Sequence, residues 1–144
     1  MMDTRVLLVD DESAFVEALS RRLAKREFNV FTAVSGPEAL EKLKQESHID
    51  VVVLDVKMPG MDGIETLRAI KTAHPLLEVI MLTGHATIES AIEGMKQGAL
   101  DYLMKPCEMD VLVAKVKEAK SKKAKHEEKI AEARAQHIAM RRGD

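Results

Sequence analysis

Asp10, Asp11, Asp55, Thr83 and Lys105 are the residues of this chain best suited to chemistry. Each stands at the end of a short apolar run that reads as a β-strand: Arg5–Val9, Val51–Leu54, Val79–Leu82 and Tyr102–Met104. In a parallel sheet such ends gather along one edge. Three carboxylates, a hydroxyl and an ammonium would then share one cleft. Clustered carboxylates repel and raise one another's pKa unless a cation lies among them. Magnesium suits such a place, because it favours a few carboxylates, retained waters and phosphate oxygens. The chemistry that fits is a divalent cation plus a phosphoryl group, with Asp55 as the nucleophile that forms an aspartyl phosphate. Lys105 would neutralise oxygens of the transferring group, and the Thr83 hydroxyl would donate one hydrogen bond to them.

The elements that must position these groups are set by periodicity. The strand-like runs, with Val30–Val34 as a further one, are continuously apolar rather than alternating, which marks strands covered on both faces. Helical patterns lie between them. Phe15, Ala18, Leu19 and Leu23 line one face. Ala39, Leu40 and Leu43 do the same, after a Ser35-Gly-Pro-Glu38 capping-box signature. Ile64, Leu67 and Ile70 form a third stripe that ends before Pro75. Ile88, Ala91, Ile92 and Met95 form a fourth, stopped by Gly98. A fifth pattern starts near Glu108 and shows no stop before Arg141. Alternating strand and helix predicts an α/β fold, doubly wound around a parallel sheet with right-handed crossovers.

Composition bounds the function classes. The 144 residues are 46% hydrophobic and 32% charged, which is globular composition and enough for one domain with a real core. Trp is absent and aromatics are 3%, so aliphatic side chains and Met must fill that core. Residues 117–144 hold nine Lys/Arg against five Asp/Glu, so the preceding part carries −6 of a total of −2. An acidic domain with a basic tail does not generally seek nucleic acid. Cys107 is the single cysteine, which excludes an intrachain disulfide and points to a reducing compartment. No apolar run approaches the ~20 residues that span a bilayer, and nothing before Arg5 resembles a signal peptide. The expectation is a soluble, cytoplasmic protein without membrane contact.

Four short motifs carry a resemblance. Asp10-Asp11 is an acidic pair after the first strand, and Asp55-Val-Lys-Met-Pro-Gly-Met-Asp-Gly63 comes after the third. Leu82-Thr-Gly-His-Ala86 closes the fourth, and Asp101-Tyr-Leu-Met-Lys-Pro106 spans the fifth. In this joint spacing the chain, from about Thr4 to Lys117, resembles the receiver domain of two-component response regulators. The resemblance implies a flavodoxin-like sheet of order 2-1-3-4-5 flanked by five helices. It implies a signalling domain, not a turnover enzyme, that takes a phosphoryl group from a sensor histidine kinase or a phosphotransfer protein. Carried over residue by residue, Asp55 is the phosphorylated side chain. Asp10, Asp11 and Asp55, with the backbone carbonyl of Lys57, hold Mg2+, for which Mn2+ is an alternative. Thr83 and Lys105 contact the phosphoryl group, Thr83 and Tyr102 are the coupled switch pair, and Pro106 comes after a cis bond. Lys57 and His85 occupy positions that tune dephosphorylation. The Thr83-Gly84-His85-Ala86 stretch is most similar to receivers of regulators that work with sigma factor 54. The surface of the fourth helix, fifth strand and fifth helix is then the output face, toward a downstream protein or a second copy of the chain.

Other readings use the same residues. An unphosphorylated docking module would keep the fold without needing the acidic cluster. A small phosphohydrolase would need a substrate pocket and a second acid–base carboxylate, and no residue stands out for either. A flavin or nucleotide binder would want glycine and backbone donors where Asp10 and Asp11 stand. Asp10-Asp11-Glu12-Ser13 also reads as a helix N-cap. Cys107 reads as an inert thiol, and His48, His74, His126 and His137 as surface residues without metal-ligand spacing.

Residues 121–144 read as a charged helical extension of the last helix, after a receiver domain of residues 1–120. Ala, Lys, Glu and Arg dominate it and favour helix. Its apolar positions, Ala124, Ile130, Ala131, Ala133, Ile138 and Met140, keep no heptad register. Interspersed acids and the lack of aromatics argue against direct nucleic-acid binding. A homodimer would form through this helix or through the output face.

Overall fold

The apolar runs become five parallel strands, β1 (Arg5–Val9), β2 (Asn29–Ala33), β3 (Val51–Leu54), β4 (Glu78–Thr83) and β5 (Asp101–Met104). They alternate with α1 (Ser13–Lys25), α2 (Gly36–Gln45), α3 (Gly63–Ala73), α4 (Ile88–Lys96) and α5 (Met109–Arg142). The structure, a computed structural model, describes residues 3–142. The strand order is β2-β1-β3-β4-β5, the flavodoxin-like order expected. Parallel strands need crossovers, and α1 to α4 supply them, while α5 follows β5 and covers a face of the sheet with α1.

Alternate side chains of each strand enter opposite layers. Leu7, Val9, Val52, Leu54, Val79 and Met81 pack with Ala39, Leu43, Leu67 and Ile70 of α2 and α3. Val6, Leu8, Val51, Val53, Ile80 and Leu82 pack with Leu19, Leu23, Leu112, Val116 and Ala119 of α1 and α5. Continuous apolarity in β1, β3 and β4 is thus the signature of two cores sharing one sheet.

Register sets the site. Val9 stands beside Leu54 and Leu54 beside Met81, so Asp10 and Asp55 leave the sheet side by side. Thr83 pairs with Met104, which puts Lys105 just past Thr83. The Lys105–Pro106 bond is cis.

Several local expectations need correction. The apolar stripe of α4 does not enter the core: Ile88 is 77% exposed, Ile92 51% and Met95 48%. Gly94 is the residue of α4 that is buried, so the helix lies close to β5 on a small residue and turns its large ones outward. Ala18 of α1 is likewise exposed, and Val16 takes its place on the buried face. In α2 the Ser35 hydroxyl accepts from the Glu38 N–H, which is half of a capping box. The complete box belongs to α4, where Thr87 and Ser90 cap each other. The N-cap of α1 is Glu12, with no side-chain bond to the helix, so the acidic pair does not serve as an ordinary cap. Burial and the Glu108 charge push the Cys107 thiol up, which fits an inert cysteine. His48 and His137 are exposed, while His74 and His126 are half-buried.

Helix α5 runs unbroken to Arg142, 34 residues in all. Its core-facing stripe ends at Ala119. Lys120 then reaches the Thr4 hydroxyl at 3.4 Å, and Lys122 pairs with buried Glu78 at 3.6 Å. Glu78 also pairs with Lys71 of α3 at 3.9 Å, so the root of the long helix is tied to the base of the sheet.

Helix α1 ends in a Schellman turn. The N–H groups of Glu27 and Phe28 bond the Ala24 and Leu23 carbonyls, and Phe28 joins Leu23 in the core. Glu27 holds φ at 68°, the left-handed region that glycine takes without steric cost. Glu27→Gly is expected to raise stability by about 1 kcal/mol, read as a higher urea midpoint. A lower midpoint would show that the glutamate side chain holds that turn.

Candidate functional site

The backbone at the sheet's open edge is held before any side chain acts. The Asp10 N–H bonds the Ala33 carbonyl at 3.1 Å, the Asp55 N–H bonds that of Val9 at 2.9 Å, and the Lys105 N–H bonds that of Thr83 at 2.9 Å. Gly63, the first residue of α3, lies against the Asp55–Val56 backbone and donates to the Val56 carbonyl at 2.6 Å. A Cβ there would run into the Asp55 carbonyl, so glycine is what lets α3 start so close to the acid. In the sequence Gly63 is only the last residue of a motif, and nothing local reveals this contact.

Asp10, Asp11 and Asp55 come together, each offering an oxygen within 4.8 Å of the others. Asp10 is 4% exposed and Asp55 1%, while Asp11 faces solvent. The Asp10 carboxylate is already engaged. One oxygen accepts from the Glu12 N–H at 2.9 Å, and the other takes the Lys105 ammonium at 2.6 Å. Both oxygens of Asp55 are buried without a hydrogen-bond partner. Buried polar atoms are nearly always paired, so an unpartnered carboxylate beside two others fits a donor set for a cation. The cluster is positioned to chelate a divalent ion, and all-oxygen carboxylate donors suit Mg2+.

Burial pushes the Asp10 carboxyl above its ordinary value, and the neighbouring Asp55 charge adds to this. The bonds from Lys105 and the Glu12 N–H work against it. For Lys105 burial opposes the charge, but Asp10, Asp55 and Glu12 outweigh it and hold the ammonium above the ordinary lysine range. Lys105 also lies 3.9 Å from the centre of the Phe15 ring and 3.5 Å from a Glu12 oxygen.

Thr83 is fully buried, and its hydroxyl oxygen accepts from the His85 N–H at 3.0 Å. Tyr102 is half-buried, and its hydroxyl is 2.6 Å from that of Ser90. Ser90 is also the capping partner of Thr87, so the tyrosine is bonded to the first turn of α4. Ser90 went unnoticed in the sequence, although Thr87-x-x-Ser90 is a readable cap pattern. The side chains of Lys57 and His85 are exposed and, with Asp11, Glu12, Met58 and Pro59, border an open recess of about 380 Å³.

The sequence pattern of the response regulator receiver domain matches residues 6–117. The chain belongs to the response regulator receiver family. It is 42% identical over 114 residues to the DNA-binding transcriptional regulator NtrC of Escherichia coli K12, covering 79% of this chain and 24% of that protein. It is 37% identical over 135 residues to the transcriptional regulatory protein ZraR of Klebsiella oxytoca, covering 94% of this chain and 30% of that protein. The chain thus spans less than a third of the length of these relatives. A solved response regulator receiver domain from Clostridium thermocellum superposes with a TM-score of 0.80 at 37% identity, over 84% of this chain and 97% of that one. The receiver domain of NtrX from Brucella abortus gives 0.75 at 31%, over 81% and 98%. The family and the acidic cluster agree: this is a phosphoacceptor signalling domain rather than a turnover enzyme. Among the described residues no helix is long and apolar enough to cross a membrane.

A buried, unpartnered charge has a stability cost. Asp55→Asn is expected to stabilise the metal-free fold by about 1–3 kcal/mol. Millimolar Mg2+ is expected to raise the thermal midpoint of the wild type and to leave that of the variant nearly unchanged. Equal response of both to the ion would remove Asp55 from the donor set.

Proposed function

We propose that Asp55 accepts a phosphoryl group from the phosphohistidine of a sensor kinase or phosphotransfer protein. The observation that carries this is the Asp55 carboxylate: enclosed, unpartnered, and next to Asp10 and Asp11. An Asp55 oxygen bonds to phosphorus as the phosphorus–imidazole bond breaks. The electron pair of that bond stays with the donor nitrogen. Asp10, Asp11, Asp55 and the Lys57 carbonyl would hold Mg2+, or Mn2+ in its place. The ion, when bound, supplies positive charge to the phosphoryl oxygens. Lys105 supplies a second positive charge from within the protein. The Thr83 hydroxyl, which now only accepts, has its proton free to donate to a phosphoryl oxygen.

The new group brings about −1.5 to −2 charges, by analogy with phosphorylated hydroxyls. It shifts the protein between two states only by interacting differently with each. Drawing Thr83 toward the phosphoryl group opens room for Tyr102, whose hydroxyl would leave Ser90. That exchange couples the site to the α4–β5–α5 face. Ile88, Ile92, Met95, Met104 and Val111 are exposed on these elements, an apolar surface suited to a downstream protein or a second copy of the chain. The division into a receiver of residues 1–120 and an extension of 121–144 is supported by the core stripe of α5, which ends at Ala119. Ile130, Ile138 and Met140 are exposed along the extension, a second surface for self-association. The extension is basic, but acids are interspersed in it and it has no aromatic residue, which argues against a nucleic-acid site. The single cysteine favours a cytoplasmic setting.

Incubation with acetyl phosphate and Mg2+ is expected to add one phosphate to the wild type and none to Asp55→Ala, read by intact-protein mass spectrometry. An unlabelled wild type would leave the chain as a docking module on a receiver frame. Lys57 and His85 stand at the rim where water enters. Lys57→Asn is expected to change the lifetime of the acyl phosphate severalfold, measured as decay of the labelled species after the donor is removed. The same decay rate in both proteins would reduce Lys57 to a solvated side chain.

A further inference from the structure

Phe15 lies outside the motifs that carry the family resemblance, and its apolar spacing reads as core. It packs at the margin of the core under α1, and it also makes a contact outside that core. The ring is half-buried at the start of α1, and the Lys105 ammonium sits 3.9 Å from its centre. It separates a small internal recess beneath Asp10 and Asp55 from an open groove of about 230 Å³ toward Arg22, Pro106 and Cys107. Lys105 is therefore fixed between two partners: the ring face and an Asp10 oxygen at 2.6 Å.

That arrangement bears on how a cation enters. Both Asp55 oxygens are free, whereas each Asp10 oxygen already accepts one bond, from the Glu12 N–H or from Lys105. A divalent ion drawn to the Asp10 oxygen that holds Lys105 competes with a charge-assisted bond, the stronger kind of hydrogen bond. The ring adds a cation–π attraction to the same lysine position, one that strengthens as water is excluded. Lys105 is only 13% exposed there, so the contact is largely desolvated.

We propose that Phe15 is a positioning residue that holds the Lys105 ammonium on Asp10, away from Asp55, and so sets how readily a divalent cation enters the acidic cluster. The inference rests on the functional reading above. Removing the ring face leaves Lys105 held by its carboxylate partners alone and weakens its competition with the ion for Asp10. Loss of a partly desolvated cation–π contact corresponds to roughly a two- to thirtyfold change in that competition.

The test uses the full chain and three proteins: wild type, Phe15→Leu and Phe15→Tyr. Leucine keeps apolar packing and removes the ring; tyrosine keeps the ring. Mg2+ is titrated by calorimetry, and the Lys105 Cε resonance is followed by NMR in metal-free protein. Phe15→Leu is expected to bind Mg2+ at least twofold more tightly and to move the Lys105 resonance toward that of a solvated lysine. Phe15→Tyr is expected to match the wild type on both. An unchanged or weaker affinity in Phe15→Leu, or a Lys105 resonance that ignores the substitution, overturns the proposal. The resonance is read without metal, so it judges the parking of Lys105 even if the wild type binds no Mg2+. That last result would sink the acidic-cluster reading and the link to metal entry together.

Discussion

Negative charge gathered at the mouth of the sheet is the constraint around which this protein is built. Two carboxylates with oxygens 4.8 Å apart or closer repel by about 3–4 kcal/mol at an effective dielectric of 20. A domain of this size has only about 5–15 kcal/mol of net stability. The third acid, Asp11, adds to this, though water screens its share because it is exposed. Lys105 is the counter-charge the fold supplies, and it reaches Asp10 alone among the three. The rest of the structure must therefore be sound enough to hold an unfavourable arrangement in place, and the two-sided core of Val, Ile and Leu does that.

The frame delivers each acid by backbone rather than by side-chain contacts. Ladder bonds from Asp10, Asp55 and Lys105 continue the sheet one step beyond its strands, and Gly63 lets α3 close against the Asp55 turn. A site fixed this way leaves its side chains free to change partners. Lys105 and Tyr102 show the pattern: each has a definite partner, Asp10 or Ser90, that it could exchange without disturbing the sheet.

Much of this was legible in the sequence. Asp10, Asp55 and Thr83 could be placed because continuous apolar runs mark buried parallel strands, and a residue just beyond such a run must emerge at one edge of the sheet. The helices α1, α2 and α3 were equally plain from their stripes. Helix α4 was misjudged in facing, since periodicity tells which residues share a face and not which neighbour that face meets. There a small residue, Gly94, made the sheet contact, and the large apolar ones were left outside. Phe15, Ser90 and the close packing of Gly63 escaped because each depends on a contact across the fold. Phe15 meets a lysine 90 positions away, a distance no local pattern reports.

Helix α5 passes without a glycine or proline from the open edge of the sheet, along its face, and out past the base of the domain. Its 21 residues from Lys120 to Met140 reach roughly 30 Å at the α-helical rise. A rod of that length, tied near one end to Glu78, has the geometry of a lever arm. A tilt of only ~5° at the tied end sweeps the tip through roughly 3 Å, given that reach. Ångström-scale adjustments beside the acids could thus be delivered far from the sheet as displacement, with no rearrangement of the core.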